Sequence, residues 1–286
     1  MSSLGDESVL VEQKDVGSSP AEPPSSRGFF VSTRDGLFSA VLYVLEQLGS
    51  YVELTLSTVA WIFRRPFRVD QYLGQLEFVG VGSTFIIVVT GLFSGMVLAL
   101  QTVHSLREYG AESTVGGIVA ISLMREISPV FSALMVTARA GSSMAAELGN
   151  MRVTEQIDAL TTMAVSPVQY LLSPRLVAGV VMLPLLCILY TCVGVAGAYL
   201  VAVKWNGIDP GSFLSYIESF VELNDLVMGT TKAAVFGGLI STLSCHQGFF
   251  VNGGAKGVGR ATTRAVVQSA VTILVANYII TSLMNQ

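Results

Sequence analysis

The chain has 286 residues, of which 51% are hydrophobic and only 13% are charged, and its mean hydropathy is +0.63. These values exclude an ordinary soluble domain, in which about 25% of the residues are charged. The net charge of −4 indicates little about partners, because so apolar a chain has the membrane as its main surroundings.

The first 35 residues are rich in Ser, Pro and acidic side chains and show no sustained apolar period. A segment of this kind buries too little apolar surface to fold, so residues 1–35 are predicted to be a disordered acidic tail. The tail lacks a basic stretch followed by an apolar one, which argues against a secretory signal, and its acids argue against a transit peptide. A solvated extension is favoured over a partner-binding segment.

Residues 36–66 are apolar enough to resemble a membrane span, but their polar side chains are regularly spaced. Pro66 ends the segment, and arginines flank it. We predict an amphipathic helix lying in the membrane interface, and the alternative is a sixth span with its polar stripe facing a bundle interior. The polar positions that align on one helical stripe are Ser39, Glu46, Ser50, Glu53 and Ser57.

Five later segments are long enough to cross a membrane, which takes roughly 20 apolar residues in a helix. Three contain no Asp, Glu, Lys or Arg, and two are interrupted by isolated charges. The chain is therefore predicted to be an all-α integral membrane protein, with five transmembrane helices in a domain over residues 78–286. The charge-free segments are 78–106, 176–203 and 265–286, and the interrupted ones are 115–148 and 226–251.

The basic residues predict the orientation. If the first span begins in the cytoplasm, the cytoplasmic segments hold nine Lys and Arg residues and the opposite side holds only Arg107 and Lys204. This bias satisfies the positive-inside rule, so the N-terminus is predicted to be cytoplasmic and the C-terminus to lie outside. The outer loops are acidic, and Asp225 is assigned to one of them. The nine basic residues are Arg64, Arg65, Arg68, Arg139, Arg152, Arg175, Lys256, Arg260 and Arg264.

Charged residues inside the predicted spans need partners, because an unpaired charge in hydrocarbon is costly. Arg125 and Glu126 are adjacent and point about 100° apart on a helix, so they cannot simply face each other. Lys232 in the fourth span is the expected partner of Glu126. The pair is interpreted as a structural lock, as a polar element of a substrate cavity, or as both. A proton relay is disfavoured, since no other acid lies deep in a span.

Residues 154–160, between the second and third spans, have a helical composition, with apolar Ile157 and Leu160 one turn apart and exposed acids. We predict a short amphipathic helix on the cytoplasmic face. Such a helix could pass motion from a motor subunit to the spans, or it could be an ordinary interfacial helix.

Several motifs are too weak to assign chemistry. The three cysteines and two histidines lack the spacing of a disulfide framework or a metal site. The glycines at Gly253, Gly254, Gly257 and Gly259 lack the Lys-Ser/Thr of a phosphate-binding loop and are predicted to form a flexible turn. Gly91 and Gly95 form a GxxxG motif, which permits close helix packing but is weak evidence for self-association.

Four segments of the chain together resemble the MlaE/YrbE family of ABC-transporter permeases, and the likeness covers roughly residues 78–284. The resemblance implies a homodimer bound to ABC ATPase subunits in the cytoplasm, often with a STAS-domain protein, and to MCE-domain proteins on the outer face. It implies a subunit of the bacterial inner membrane that moves lipids, typically phospholipids, to or from the cell envelope. The segments are GLFSGMVLALQ at 91–101, the long stretch at 123–175, WNGID at 205–209 and GVGRATTRAVV at 257–267.

The resemblance also implies residue roles. No catalytic residue, metal or cofactor is expected in this chain, and ATP and Mg would be bound by the partner ATPase; a secondary carrier using Glu126 and Lys232 is the alternative. Asn277 is a departure, since some relatives carry an acid there. The implied substrate-cavity residues are Met96, Leu100, Gln101, Arg125, Glu126 and Lys232, and the implied ATPase-coupling residues are Glu155, Gln156, Ile157, Asp158 and Leu160.

Overall fold

The computed structural model describes residues 49–61 and 68–284. Within these residues the regular elements are all helices, which confirms the all-α prediction. The predicted acidic tail, 1–35, and most of the predicted interfacial segment, 36–66, lie outside the described residues. The described part of that segment, residues 49–61, is helical and is called α1.

Five helices in the described part are long and apolar enough to cross a membrane, as predicted. Each extends beyond at least one end of its predicted segment, because helical structure continues into the polar interface after the charge-free run ends. We number them in chain order: span 1 is Val69–Arg107 (helix α2), span 2 is Glu112–Val153, span 3 is Val168–Trp205, span 4 is Leu223–Phe249 (helix α9) and span 5 is Gly254–Met284 (helix α10).

Span 5 corrects one prediction. Gly253 and Gly254 form a turn with positive φ angles of 94° and 66°, which glycine adopts without steric cost. Gly257 and Gly259, however, lie inside the helix that begins at Gly254. The predicted flexible turn is therefore limited to the first two glycines.

Spans 2 and 3 are interrupted by π-helical turns, which insert extra residues and reorient the side chains beyond them. The charged residues Arg125, Glu126 and Arg139 all lie in such turns. Span 2 consists of a 3₁₀ turn at Glu112–Thr114, α3 at Val115–Ser122, a π turn at Leu123–Ile127, α4 at Ser128–Val136, a π turn at Thr137–Gly141 and α5 at Ser142–Val153. Span 3 consists of a π turn at Val168–Leu172, α7 at Ser173–Tyr199 and a π turn at Leu200–Trp205.

Glycines let span 3 pack closely against spans 1 and 4. A Cβ atom on Gly95 would overlap the carbonyl oxygen of Gly194, and one on Gly91 would lie 3.0 Å from the carbonyl oxygen of Tyr190. On the other side, a Cβ on Gly237 would overlap the carbonyl oxygen of Gly179. The GxxxG motif of span 1 thus serves packing within the chain, and its face is already occupied by span 3.

Two short helices mark the two ends of the bundle. Helix α6 (Gln156–Thr162) connects spans 2 and 3, and we call its side the α6 end. Helix α8 (Pro210–Phe220) connects spans 3 and 4 and marks the α8 end. Helix α8 was not predicted, although Asp209 caps it by accepting a hydrogen bond of 2.8 Å from the Ser212 amide.

Helix α1 contacts three spans through polar groups. Ser173 of span 3 donates to the Thr58 carbonyl at 3.3 Å, and Ser50 lies 2.9 Å from Nε2 of His246 in span 4. The Tyr51 hydroxyl donates to Gln268 of span 5 at 2.9 Å. On its remaining surface α1 exposes Val52, Leu56 and Val59. Its inward side also includes the apolar Leu54, and Glu53 is exposed. The interfacial position of α1 stays a prediction.

Candidate functional site

Charged and polar side chains from three spans meet in the half of the bundle nearer the α8 end. Each lies within about five helical turns of the end of its span on that side. The elements that supply them are the first π turn of span 2, the first three turns of span 4 and the last turns of span 5. We call this group the charge cluster; it consists of Arg125, Glu126, Asp225, Lys232, Asn277 and Thr281.

Lys232 lies at the centre of the charge cluster, and its side chain is fully buried. Its Nζ donates to Oε1 of Glu126 at 2.8 Å, to the Arg125 carbonyl at 2.9 Å and to the Thr281 hydroxyl at 2.8 Å. The three ammonium protons are therefore matched by three acceptors. The expected pairing of Lys232 with Glu126 is present.

Glu126 also connects span 2 to span 5. Asn277 donates to Oε2 of Glu126 at 3.1 Å, and Thr281 donates to Oε1 at 3.2 Å. Asn277 thus supplies a neutral donor to a carboxylate that already has a cation. An acid at this position would instead place a second carboxylate beside Glu126, with Lys232 as their shared cation.

Arg125 has a partner that the sequence analysis missed. Its Nε donates to Oδ1 of Asp225 at 2.5 Å, and the Asp225 side chain is fully buried. Asp225 was assigned to an acidic loop, but it lies in the first turn of span 4, where it and Glu222 form a capping box. The spacing Glu222–Asp225 is the signal that predicts this helix start, and Lys232 follows Asp225 by two turns on the same face.

The charge cluster has a closed side and an open side. Lys232 and Asp225 are fully buried, whereas the side chains of Glu126 and Arg125 are 42% and 39% exposed. The ion pairs hold spans 2 and 4 together, as expected of a structural lock. The exposed edges of Arg125 and Glu126 also present one charge of each sign to the surroundings, so the predicted role in a substrate cavity stays open.

The predicted cavity residues on span 1 lie elsewhere. Met96 is half-buried against span 3, and Leu100 and Gln101 are exposed. Among the described residues, the hydrogen bonds and ion pairs of the charge cluster come from spans 2, 4 and 5 and not from span 1. Within one chain, the predicted cavity residues of span 1 are therefore not linked to the charge cluster by a described hydrogen bond or ion pair.

An apolar groove at the α8 end was not anticipated. It has a volume of about 480 Å³ and lies between the last turns of span 3 and helix α8. This volume falls within the range of about 300–1,000 Å³ typical of small-molecule sites. The groove could not be predicted without α8, whose residues were assigned to an acidic loop. Its walls include Cys192, Tyr199 and Leu200 of span 3 and Phe213 and Leu214 of α8.

The predicted coupling residues fall into two groups. Gln156 and Asp158 are exposed on α6, and Glu155 is exposed just before it, in a left-handed conformation with φ of 59°. Ile157 is only 2% exposed and packs in a cluster with residues of spans 2 and 3, with Leu160 against that cluster. The helix begins at Gln156, so Glu155 precedes it and Ile157 faces the protein rather than a partner.

An ion pair between a buried arginine and a half-exposed glutamate connects the two spans that flank α6. Arg175, 2% exposed, forms an ion pair of 2.9 Å with Glu147 and donates to the Met144 carbonyl at 3.3 Å. Arg175 was counted in a cytoplasmic loop, but it lies in the first turn of α7. Arg139, counted likewise, lies inside span 2 with its guanidinium over the Phe78 ring, 4.5 Å from the ring centre.

The described residues contain no group of three or more His, Cys, Asp or Glu side chains that could hold a metal ion. Cys187, Cys192 and Cys245 are free thiols.

Comparison with known proteins gives consistent matches. A family model described as permease MlaE matches residues 72–283, which include the charge cluster and α6. A probable ABC transporter permease protein of Rickettsia felis is 42% identical over 238 residues, covering 83% of this chain and 92% of that protein. The intermembrane phospholipid transport system permease protein MlaE of Haemophilus influenzae is 40% identical over 211 residues, covering 73% and 81%. The chloroplastic protein TRIGALACTOSYLDIACYLGLYCEROL 1 of Arabidopsis thaliana is 38% identical over 210 residues, covering 73% and 60%.

Proposed function

Because this chain belongs to the MlaE permease family, we propose that it moves phospholipids between the bacterial inner membrane and the cell envelope, driven by a partner ATPase. The observation that carries the proposal is the match of the family over residues 72–283, together with the phospholipid-transport name of the Haemophilus relative. The five spans and the buried charges of the bundle are compatible with a membrane-embedded permease subunit.

Two copies of the chain would enclose an apolar cavity for the acyl chains. Burial contributes roughly 0.8 kcal/mol per CH₂, so a lipid leaves a membrane only for an equally apolar site or with an energy input. The groove between span 3 and α8 offers such an apolar surface, with a volume of about 480 Å³. The half-exposed Arg125 and Glu126 would meet the polar headgroup, since they are the charged groups of the cluster that keep an open side.

The energy of ATP hydrolysis would be transmitted to this chain through α6. Gln156 and Asp158 are exposed to a partner, while buried Ile157 connects α6 to the spans. The Arg175–Glu147 pair then joins spans 2 and 3, and Leu148, the next residue after Glu147, packs in the apolar cluster with Ile157. Movement of α6 by an ATPase would therefore be passed to both spans.

The remaining partners follow from this arrangement. The α6 end would face the cytoplasm, with the N-terminus, the ATPase and a STAS-domain protein, and the α8 end would face MCE-domain proteins. ATP and Mg would be bound by the ATPase, and this chain would make and break no covalent bond. Nucleic acid is not an expected partner.

Reconstitution tests the proposal against a secondary carrier. The full-length chain is placed in liposomes containing a fluorescent phospholipid, with or without its ATPase, and lipid movement is measured with ATP and Mg or with a proton gradient. We expect movement only with the ATPase and ATP. Movement by the isolated chain on a proton gradient would contradict the proposal and support a carrier that uses Glu126 and Lys232.

A further inference from the structure

A polar cavity lies at the α6 end, between the first turns of spans 1 and 3, and the proposed transport mechanism does not use it. Its volume is about 230 Å³. We call it the α6-end cavity. The polar residues of its lining are Arg68, Gln71 and Tyr72 at the start of span 1 and Ser166, Gln169 and Tyr170 at the start of span 3.

The charge of the lining favours an anion. Arg68 is cationic, and the lining residues that the structure describes include no acid. The Arg68 guanidinium stacks on the Tyr170 ring, with Cζ 4.9 Å from the ring centre. Among the described residues Arg68 forms no ion pair with a carboxylate. Stacking fixes the plane of the guanidinium and leaves its edge N–H groups directed sideways, the geometry that binds phosphate oxygens.

The helix backbone also contributes positive electrostatic potential to the cavity. Span 1 begins at Val69 with Arg68 in the N-cap position, and the Arg68 side chain makes no capping hydrogen bond. Span 3 begins at Val168, just after Ser166. The N-terminal ends of spans 1 and 3 thus both adjoin the cavity, and each contributes a partial positive charge.

The position of the cavity indicates which anion can reach it. Tyr170 of the cavity lining is followed directly in the chain by Leu171, which packs with Leu54 of α1. Helix α1 exposes Val52, Leu56 and Val59, which suits the boundary between headgroups and acyl chains. One turn is about 5 Å of helix, so the predicted interfacial position of α1 would place the cavity near the phosphate groups of the leaflet at the α6 end.

We propose that the α6-end cavity binds the phosphate of an anionic phospholipid from that leaflet. Arg68 supplies the ionic contact, and Gln71 and the tyrosine hydroxyls supply hydrogen bonds. This lipid is held rather than transported, so the proposal goes beyond the transport function and is independent of the charge cluster. A bound lipid would also brace the segment between α6 and span 3.

Native mass spectrometry of the full-length chain in detergent tests the proposal. Phosphatidylglycerol and phosphatidylcholine are added separately, and the retained lipid is measured for the protein and its variants. We expect preferential retention of phosphatidylglycerol, a loss of about five-fold in Arg68→Ala, and a smaller loss in Gln71→Met, which keeps the volume but removes the hydrogen bonds. Arg260→Ala is the matched control, because Arg260 is an exposed cation at the α6 end outside the cavity.

Three outcomes would overturn the proposal. An equal loss in Arg260→Ala would show that retention follows overall charge. Displacement of phosphatidylglycerol by inorganic phosphate at the same concentration would show a site for a free anion. Unchanged lipid retention in Arg68→Ala, with weaker co-purification of the ATPase, would show that the cavity docks the motor protein.

Discussion

At the scale of single residues, the buried Lys232 ammonium group has an acceptor for each of its three protons. Asp225 is buried to the same degree, and it accepts from Arg125 and from the Glu222 amide at 3.0 Å. Water cannot replace a lost partner at such positions, so each pair depends on both of its members. The two pairs therefore fix the relative position of spans 2 and 4 residue by residue.

Substitution of Glu126 by Gln tests the pair with Lys232. Losing one member of a fully buried pair costs roughly 3–5 kcal/mol. Because the Glu126 side chain is 42% exposed, we expect a smaller loss, of about 2 kcal/mol, in the stability of the purified protein to thermal unfolding. Adding Lys232→Met removes the unpaired cation and should restore part of the stability. A double variant as unstable as the sum of both single changes would contradict the pairing.

The same double variant separates the structural and transport roles of the pair. If the pair only holds the helices together, the variant with both Glu126→Gln and Lys232→Met should recover phospholipid transport to the same extent as it recovers stability. We expect stability to recover while transport in the reconstituted complex stays reduced by about ten-fold or more, because the neutral pair cannot attract a charged headgroup. Recovered transport would show that Glu126 and Lys232 act only as a structural lock between the spans.

At the scale of elements, the exposed outer side and the buried inner side of α6 are predicted to have different roles. Asp158 lies on the outer side, 60% exposed, in a pair of 2.6 Å with Arg152. Exposed pairs contribute only about 0.2–1 kcal/mol, so Asp158 matters little for folding. Its charge is instead available to a partner.

Charge reversal at Asp158 is expected to weaken the complex with the ATPase by about ten-fold and to leave thermal stability nearly unchanged. The measurement is co-purification of the ATPase over a series of salt concentrations. Glu112→Lys is the matched control, because Glu112 forms an exposed pair of 3.0 Å with Arg107 near the α8 end. Equal binding by Asp158→Lys and the unmodified chain would contradict the coupling role of α6.

Ile157 on the inner side tests whether α6 passes motion to the spans. Ile157→Ala leaves a cavity beneath α6 and should cost about 2–4 kcal/mol of stability. If α6 is the mechanical connection, the ATPase should still bind and hydrolyse ATP, while lipid transport per ATP falls. An unchanged ratio of transport to hydrolysis would contradict this role.

At the scale of the whole molecule, the two ends of the bundle differ in charge. Arg139 and Arg175 lie within spans rather than loops, yet the basic residues remain concentrated toward the α6 end. The predicted orientation therefore keeps its physical basis, which is the retention of Lys and Arg on the cytoplasmic side during insertion.

Cysteine labelling of intact cells checks the orientation. Cys192, which is exposed, is replaced by Ala, and single cysteines are introduced at the exposed positions Ser219 of α8 and Thr161 of α6. With a membrane-impermeant maleimide we expect Ser219→Cys to react in intact cells and Thr161→Cys to react only after the membrane is opened. The opposite pattern would place the N-terminus outside.

The sequence by itself determined the number of spans, the presence of α6 and the partner of Glu126. Hydrophobic length and helical period are local properties, and Lys232 was an obvious cation for an acid within a predicted span. The tertiary structure alone decided that Arg125 pairs with Asp225, that Ile157 faces inward, and that grooves form beside α8 and between the starts of spans 1 and 3. These features depend on which faces of distant helices meet, and the π turns of spans 2 and 3 rotate those faces in a way that a regular helical period does not predict.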